Sequence, residues 1–221
     1  MFADREDAAR QLATKLRDLG LHDPVVLAIP RGGVVTGAVL ARELGADLDV
    51  VLSRKLRAPY QPELAIGAVG EDGEVYVNHR IEGAITVDKS YLKAERQRQV
   101  KAIEQRQQLF RVGRARVPIM GRSVILTDDG IATGSTMIAA IRVVKALKPY
   151  ELIVAVPVAP KRQLGEFRSF CDRFICLEAP ADFHAVGQFY QSFETVEDEE
   201  VVRLLREAAR HRDAAASMSK T

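Results

Sequence analysis

Five short apolar runs constrain this chain more than any other feature: VVLAI (25–29), LDVVLS (48–53), VILTDD (124–129), ELIVAVPV (151–158) and RFICLE (173–178). Runs of this length without polar alternation suit strands covered on both faces, as in a parallel sheet. Stretches of helical spacing lie between them, over 35–45, about 135–147 and about 162–170. Alternating strand and helix is the pattern of βαβ units. The expected class is α/β, with a mostly parallel five-stranded sheet flanked by helices. A helix over 4–19 precedes the sheet, with Ala8, Leu12, Leu16 and Leu19 at helical intervals and Gly20 to end it.

Residues 56–121 break this rhythm. LAIGAV and EVYVN flank Glu71-Asp72-Gly73, a hairpin signal, and a long polar helix follows over about 88–110. The segment has too few apolar residues for a core of its own. It is therefore expected to be an insertion on one domain spanning 1–221, not a second domain. Residues 179–195 follow the last core strand. The tail 212–221 (RDAAASMSKT) is expected to be frayed.

The chemistry concentrates in VILTDDGIATGSTM, Val124 to Met137. A strand ends in Asp128 and Asp129, and a loop with Gly130 and Gly134 enters a helix through Thr133, Ser135 and Thr136. Ligands of open α/β sheets bind at the carboxyl ends of the strands. A helix N-terminus there favours an anion such as phosphate. Two carboxylates beside that cradle would repel a bare phosphate, but they can accept hydrogen bonds from sugar hydroxyls or face a metal. The combination points to a phosphorylated sugar with vicinal hydroxyls. No Lys follows the glycine, so this is not G-x-x-x-x-G-K-[ST], and Arg31-Gly32-Gly33 lacks the G-x-G-x-x-G spacing.

At these residues the chain resembles the type I phosphoribosyltransferases. Their phosphoribosyl-diphosphate (PRPP) motif is an apolar strand, two acidic residues, a spacer and Thr-Gly-small-Thr. The resemblance implies that Asp128 and Asp129 hold the ribose 2′ and 3′ hydroxyls, that Ala132 to Thr136 (Ala132, Thr133, Gly134, Ser135, Thr136) wrap the 5′-phosphate, and that Gly130 belongs to the same PRPP-binding set. It implies that Pro30, Arg31, Gly32 and Gly33 form a diphosphate loop, often with a strained or cis peptide. A basic residue closing the second strand, Lys55 or else Arg54, matches a family position that contacts diphosphate. Mg²⁺ is implied as cofactor, bound mainly through PRPP oxygens, as Mg²⁺ usually binds, with no direct protein ligand. The implied catalytic set is Arg31, Lys55, Asp128 and Asp129.

The family reaction is attack of a ring nitrogen on ribose C1′ as diphosphate leaves, typical of nucleotide salvage. The segment from Leu56 to about Val77 occupies the place of the family's closing loop. Ala132 stands where hypoxanthine/guanine-type enzymes carry an Asp, so this chain resembles the adenine and uracil types better there. Seven of its 13 aromatic residues fall between Phe167 and Phe193. Phe167, Phe170 and Phe174 read as core. Asp182, Phe183 and Tyr190 are the candidates for the acceptor pocket, since the family builds part of its base-covering hood near there; the resemblance implies a small C-terminal hood over about 179–195.

Charge and composition bound the rest. The formal net charge is +2, yet 93–122 holds nine basic and two acidic residues, and 178–207 holds eight acidic and two basic. The basic stretch keeps a rival reading open, a non-catalytic PRPP or nucleotide sensor that binds nucleic acid, and also a homodimer contact. Two cysteines, Cys171 and Cys176, argue against a zinc site or disulfide framework. No apolar run is long enough for a membrane helix, and the N-terminus lacks a signal-peptide core, so the expected location is the cytoplasm.

Overall fold

The computed structural model describes residues 1–77, 88–111 and 115–218, the side chains of 61–64 and 212–218 excepted. From the N-terminus the elements are α1 (Arg5–Leu16), β1 (Val25–Ala28), α2 (Gly32–Leu44), β2 (Asp47–Val50), β3 (Arg54–Ala58), β4 (Gln61–Val69), β5 (Val75–Val77), α3 (Lys89–Phe110), β6 (Ser123–Thr127), α4 (Ser135–Ala146), β7 (Glu151–Val158), α5 (Leu164–Arg168), β8 (Arg173–Glu178) and α6 (Asp198–Met218). The five apolar runs pair, all in parallel, in the order β2-β1-β6-β7-β8. From β1 the chain crosses through α2 to one side; from β6 it crosses through α4 to the other. The neighbours β1 and β6 therefore flank the crevice where strand order reverses.

Side chains alternate across the sheet. Val26 and Ala28 pack with Leu12 and Leu16 of α1, Leu40 of α2 and Val201 and Leu205 of α6. Val25 and Leu27 face the other way, onto Met137, Ile141 and Val144 of α4 and Phe167. Fully burying each such aliphatic side chain contributes about 1.5–3 kcal/mol. Helix α1 starts where Asp4 accepts a hydrogen bond from the Asp7 N–H at 2.8 Å, and Gly20, at φ 66°, ends the turn after it. Phe167 and Phe174 stack at 5.5 Å, in the core as expected. Burial pushes both thiols up, that of Cys176 to about 11.

The insertion differs from the sequence reading in one respect. The expected second strand, 48–53 closed by Ser53 to Leu56, is two elements. β2 stops at Val50, and Arg54–Ala58 becomes β3, an outer strand of an antiparallel sheet ordered β3-β4-β5. Alternation explains the change: Leu56 and Ala58 are buried while Arg57 is exposed, the period of a half-covered strand. The segment from Leu56 to Val77 is thus paired sheet around the expected hairpin, packed on α3 and α4, and not an open loop. Asn78, the last residue of the expected second hairpin strand, lies outside the described residues. Leu56, Ile66, Ile103 and Phe110 join the same buried cluster as the main sheet.

A buried ion network pins the insertion. The Arg111 guanidinium pairs with Glu71 and reaches Asp49 at 3.4 Å, and it donates to the Val50 carbonyl at 2.9 Å. Asp49 in turn accepts from the Val117 N–H at 2.9 Å. At the other end of the chain, α6 continues to Met218, where the sequence suggests fraying. Ala214 to Ala216 supply the strongest helix-forming residue type. Residues 219–221 lie outside the described residues.

Candidate active site

The two glycine-bearing loops meet at the carboxyl ends of β1 and β6. The first leaves β1 through Pro30, with a cis Pro30–Arg31 peptide, and enters α2 at Gly32. The second leaves β6 through Asp128 and Asp129 and enters α4 at Ser135, with Gly134 at φ 78°. Both helices aim their N-terminal N–H groups, which lack acceptors within the helix, at the same crevice.

Contact between the loops is close enough to demand glycine. A Cβ on Gly32 would sit 1.9 Å from Asp129 Oδ2, and one on Gly33 would sit 2.8 Å from both Cα and Oδ1 of Asp128. A Cβ on Gly134 would meet the Phe167 ring at 2.5 Å. Gly130 packs beneath Val186 of the hood, where an added Cβ would stand 2.6 Å from Cγ1. Ala132, Thr133 and Thr136 are exposed, and the Thr133 and Ser135 hydroxyls lie 3.1 Å apart.

The carboxylates have different environments. Asp128 Oδ1 accepts the Asp129 N–H at 2.9 Å, while burial and then the Asp129 charge hold the Asp128 carboxyl well above its ordinary range. Asp129 Oδ2 accepts from Arg5 Nε at 2.8 Å. Arg5 is fixed in turn: it donates to the Glu194 carbonyl at 2.8 Å and lies 3.7 Å from the Phe193 ring centroid. Tyr190 donates its hydroxyl to the Asp129 carbonyl at 2.5 Å. Arg31 reaches Glu197 at 3.3 Å. Arg5, Glu194 and Glu197 carry no local motif; only the tertiary path of the chain brings them here.

Lys55 lies on β3 and, with Pro30 and Thr136, lines a cavity of about 330 Å³ beside the crevice. The acceptor candidates separate. Phe183 is half-buried and stacks on Phe189 at 5.3 Å. Tyr190 is buried, packed between Phe2 at 5.4 Å and Phe193 at 4.9 Å, which leaves it no open face for stacking. Asp182 is exposed and faces His184 at 3.1 Å, so its carboxylate meets solvent instead of a pocket wall.

Among the described residues no three His, Cys, Asp or Glu side chains converge on one point. The oxygen donors of Asp128 and Asp129 are of the type Mg²⁺ accepts, but one oxygen of Asp129 is committed to Arg5. An ion here would draw most of its ligands from a bound phosphate compound and water.

The phosphoribosyl transferase domain model matches residues 3–193. Two Mycobacterium tuberculosis proteins, from strains CDC 1551/Oshkosh and H37Rv, are each provisionally named a phosphoribosyl transferase. They are 43% identical to this chain over 215 residues, covering 97% of it and 48% of each relative. The chain therefore spans about half the length of the curated relatives it matches. The crystal structure of TT1426 from Thermus thermophilus superposes with a TM-score of 0.88 at 43% identity, over 93% of this chain and 98% of that one.

Proposed function

The chain belongs to the phosphoribosyl transferase domain family, and on that premise we propose that it moves the ribose 5-phosphate group of PRPP to a ring nitrogen of a nucleobase or related heterocycle, releasing diphosphate. One observation carries the reading. Gly32 and Gly33 pack directly on Asp129 and Asp128, so an anion cradle and a pair of hydroxyl acceptors share one crevice. Such a combination suits a sugar that carries phosphate groups and vicinal hydroxyls.

In this reading Asp128 and the free oxygen of Asp129 accept the ribose 2′ and 3′ hydroxyls. Residues 132–136 and the start of α4 hold the 5′-phosphate. Pro30 to Gly33, with Arg31 and Lys55, hold the diphosphate. The acceptor nitrogen's lone pair forms the bond to C1′ as the C1′–O pair departs on diphosphate, and the acceptor's ring proton passes to solvent. Negative charge grows on the leaving group, so fixed cations aimed there lower the barrier more than they tighten ground-state binding. Bound Mg²⁺ would add neutralising charge at the same oxygens. Arg31 must exchange Glu197 for diphosphate, an exposed contact that costs little to break. Phe183 is the remaining aromatic candidate for stacking on the acceptor, and residues 1–221 act as one unit with 56–121 inserted.

The nucleic-acid reading finds less support in the insertion. Arg96 donates to the Gly73 carbonyl at 2.7 Å and Arg98 pairs with Glu95 at 2.9 Å, so two cations of the expected basic face serve the fold.

The test is turnover: PRPP and Mg²⁺ with a panel of bases, reading diphosphate release. Base-dependent release is expected. Its absence across a broad panel, with PRPP binding intact, would leave a sensor instead of an enzyme. RNA or DNA binding that falls steeply with salt would then identify the sensor's partner.

A further inference from the structure

Helix α3 presents Gln99, Ile103 and Arg106, spaced four and three residues apart and so on one face, to the cavity of about 330 Å³. Arg54, Lys55 and Arg57 line the same cavity from the β3 side, and Pro30 and Thr136 form its rim toward the crevice. Four cations thus surround one space, and no carboxylate lines it among the described residues. Two of these cations repel a third: burial, then Arg106 and Arg57, press the Arg54 pKa down, and an anion entering this space would offset that repulsion. The space holds on the order of ten waters at about 30 Å³ each, more than a single phosphate group needs. Ile103, Val51 and Leu52 give it an apolar floor, which strengthens charge-assisted hydrogen bonds by excluding water.

We propose that Arg106, supplied by the inserted helix, is a further ligand-binding residue for the diphosphate end of the donor. The guanidinium offers paired N–H donors to phosphate oxygens, which a point charge does not. Phe110, whose ring centroid lies 5.8 Å from the Arg106 guanidinium carbon, flanks it on the helix. The insertion is then a working wall of the site. Only the identity of the donor rests on the transferase reading; the affinity for oligophosphate does not.

Calorimetry on the full chain with Mg²⁺ tests this, using inorganic diphosphate, PRPP and ribose 5-phosphate as titrants. R106Q should weaken diphosphate and PRPP by about ten-fold or more and leave ribose 5-phosphate unchanged. R106K, which keeps the charge without the fork, should fall between R106Q and wild type and also guards against a folding defect. K101Q removes the same charge from an exposed position on α3 and should change nothing beyond about two-fold. Equal diphosphate affinity in wild type and R106Q overturns the assignment. Wild type that binds diphosphate through Arg106 but ignores PRPP keeps the oligophosphate site and removes the donor reading. Wild type that binds neither overturns both.

Discussion

Arg5 Nε donates to Asp129 Oδ2 at 2.8 Å across 124 residues of sequence, with side-chain exposures of 11% and 14%. A cation from the first helix is therefore the counter-ion of a carboxylate in the central loop. Replacing Arg5 by Met keeps the stem and leaves Asp129 beside Asp128 without that partner. The loss should be on the order of 3 kcal/mol in urea unfolding, because a stranded, largely buried charge is costly. PRPP affinity should fall with it. A change within the surface range of about 0–1 kcal/mol would show that solvent screens the pair.

Asp128 makes a pH prediction. Its folded pKa stands above the ordinary 3.8, through burial and the Asp129 charge. The native state keeps a proton there that the unfolded chain has released. Stability should accordingly fall as pH rises from 3.8 to the raised folded value and level off above it. Asp128→Asn should remove that slope and raise the thermal midpoint at neutral pH, each kcal/mol appearing as about 2–4 °C. The same variant should bind PRPP more weakly. Melts over about pH 4–8 read the first effect and calorimetry the second. A lower neutral-pH midpoint would contradict the assigned cause.

Gly32→Ala tests the contact between the loops. The new methyl would stand 1.9 Å from Asp129 Oδ2, whose carboxylate Arg5 already fixes. Either the carboxylate or the start of α2 must shift. The expected cost is about 1–3 kcal/mol of stability, with a marked loss of PRPP affinity. An unaltered dissociation constant would mean that this spacing does not serve the ligand.

Glu71→Gln probes the anchor of the insertion. Arg111 pairs with Glu71 at side-chain exposures of 11% and 4%. Removing one partner of a buried pair costs about 3–5 kcal/mol, most of it from the charge left behind. Asp49 lies 3.4 Å from the same guanidinium and should hold the loss toward the lower figure. Urea denaturation measures it, and a double-mutant cycle with Arg111→Leu isolates the pair.

The parallel sheet was legible because each strand is a continuous apolar run, and β7 and β8 fall on their expected residues. β3 was not, because its alternating half-buried pattern abuts the fully buried run that ends β2, and apolar content alone merges the two. The candidate site divides in the same way. Asp128 to Thr136 and Pro30 to Gly33 are contiguous segments, so their grouping can be read locally. Arg5 and Glu197 approach them across 124 and 166 residues, and no spacing rule links positions so far apart. Tyr190 shows the limit for single residues. Its sequence neighbours suggest a stacking platform, but whether an aromatic faces a pocket or a core depends on what covers it, and here Phe2 and Phe193 do.

The bridge between Phe2 and Tyr190 has a consequence for biosynthesis. A ribosome makes Phe2 and Arg5 long before the segment that seats them, around Tyr190 to Glu194. At about 5–20 residues per second, Phe2 waits roughly 10–40 s for Tyr190 to be made. The residues on which Arg5 docks, Phe193 and Glu194, follow only after that. The central loops can fold while the chain is still being translated, but the contacts that hold the counter-ion of Asp129 form only after residue 194 has been made. Nascent chains that stop before about residue 195 should therefore carry the phosphate cradle without the fastened carboxylate.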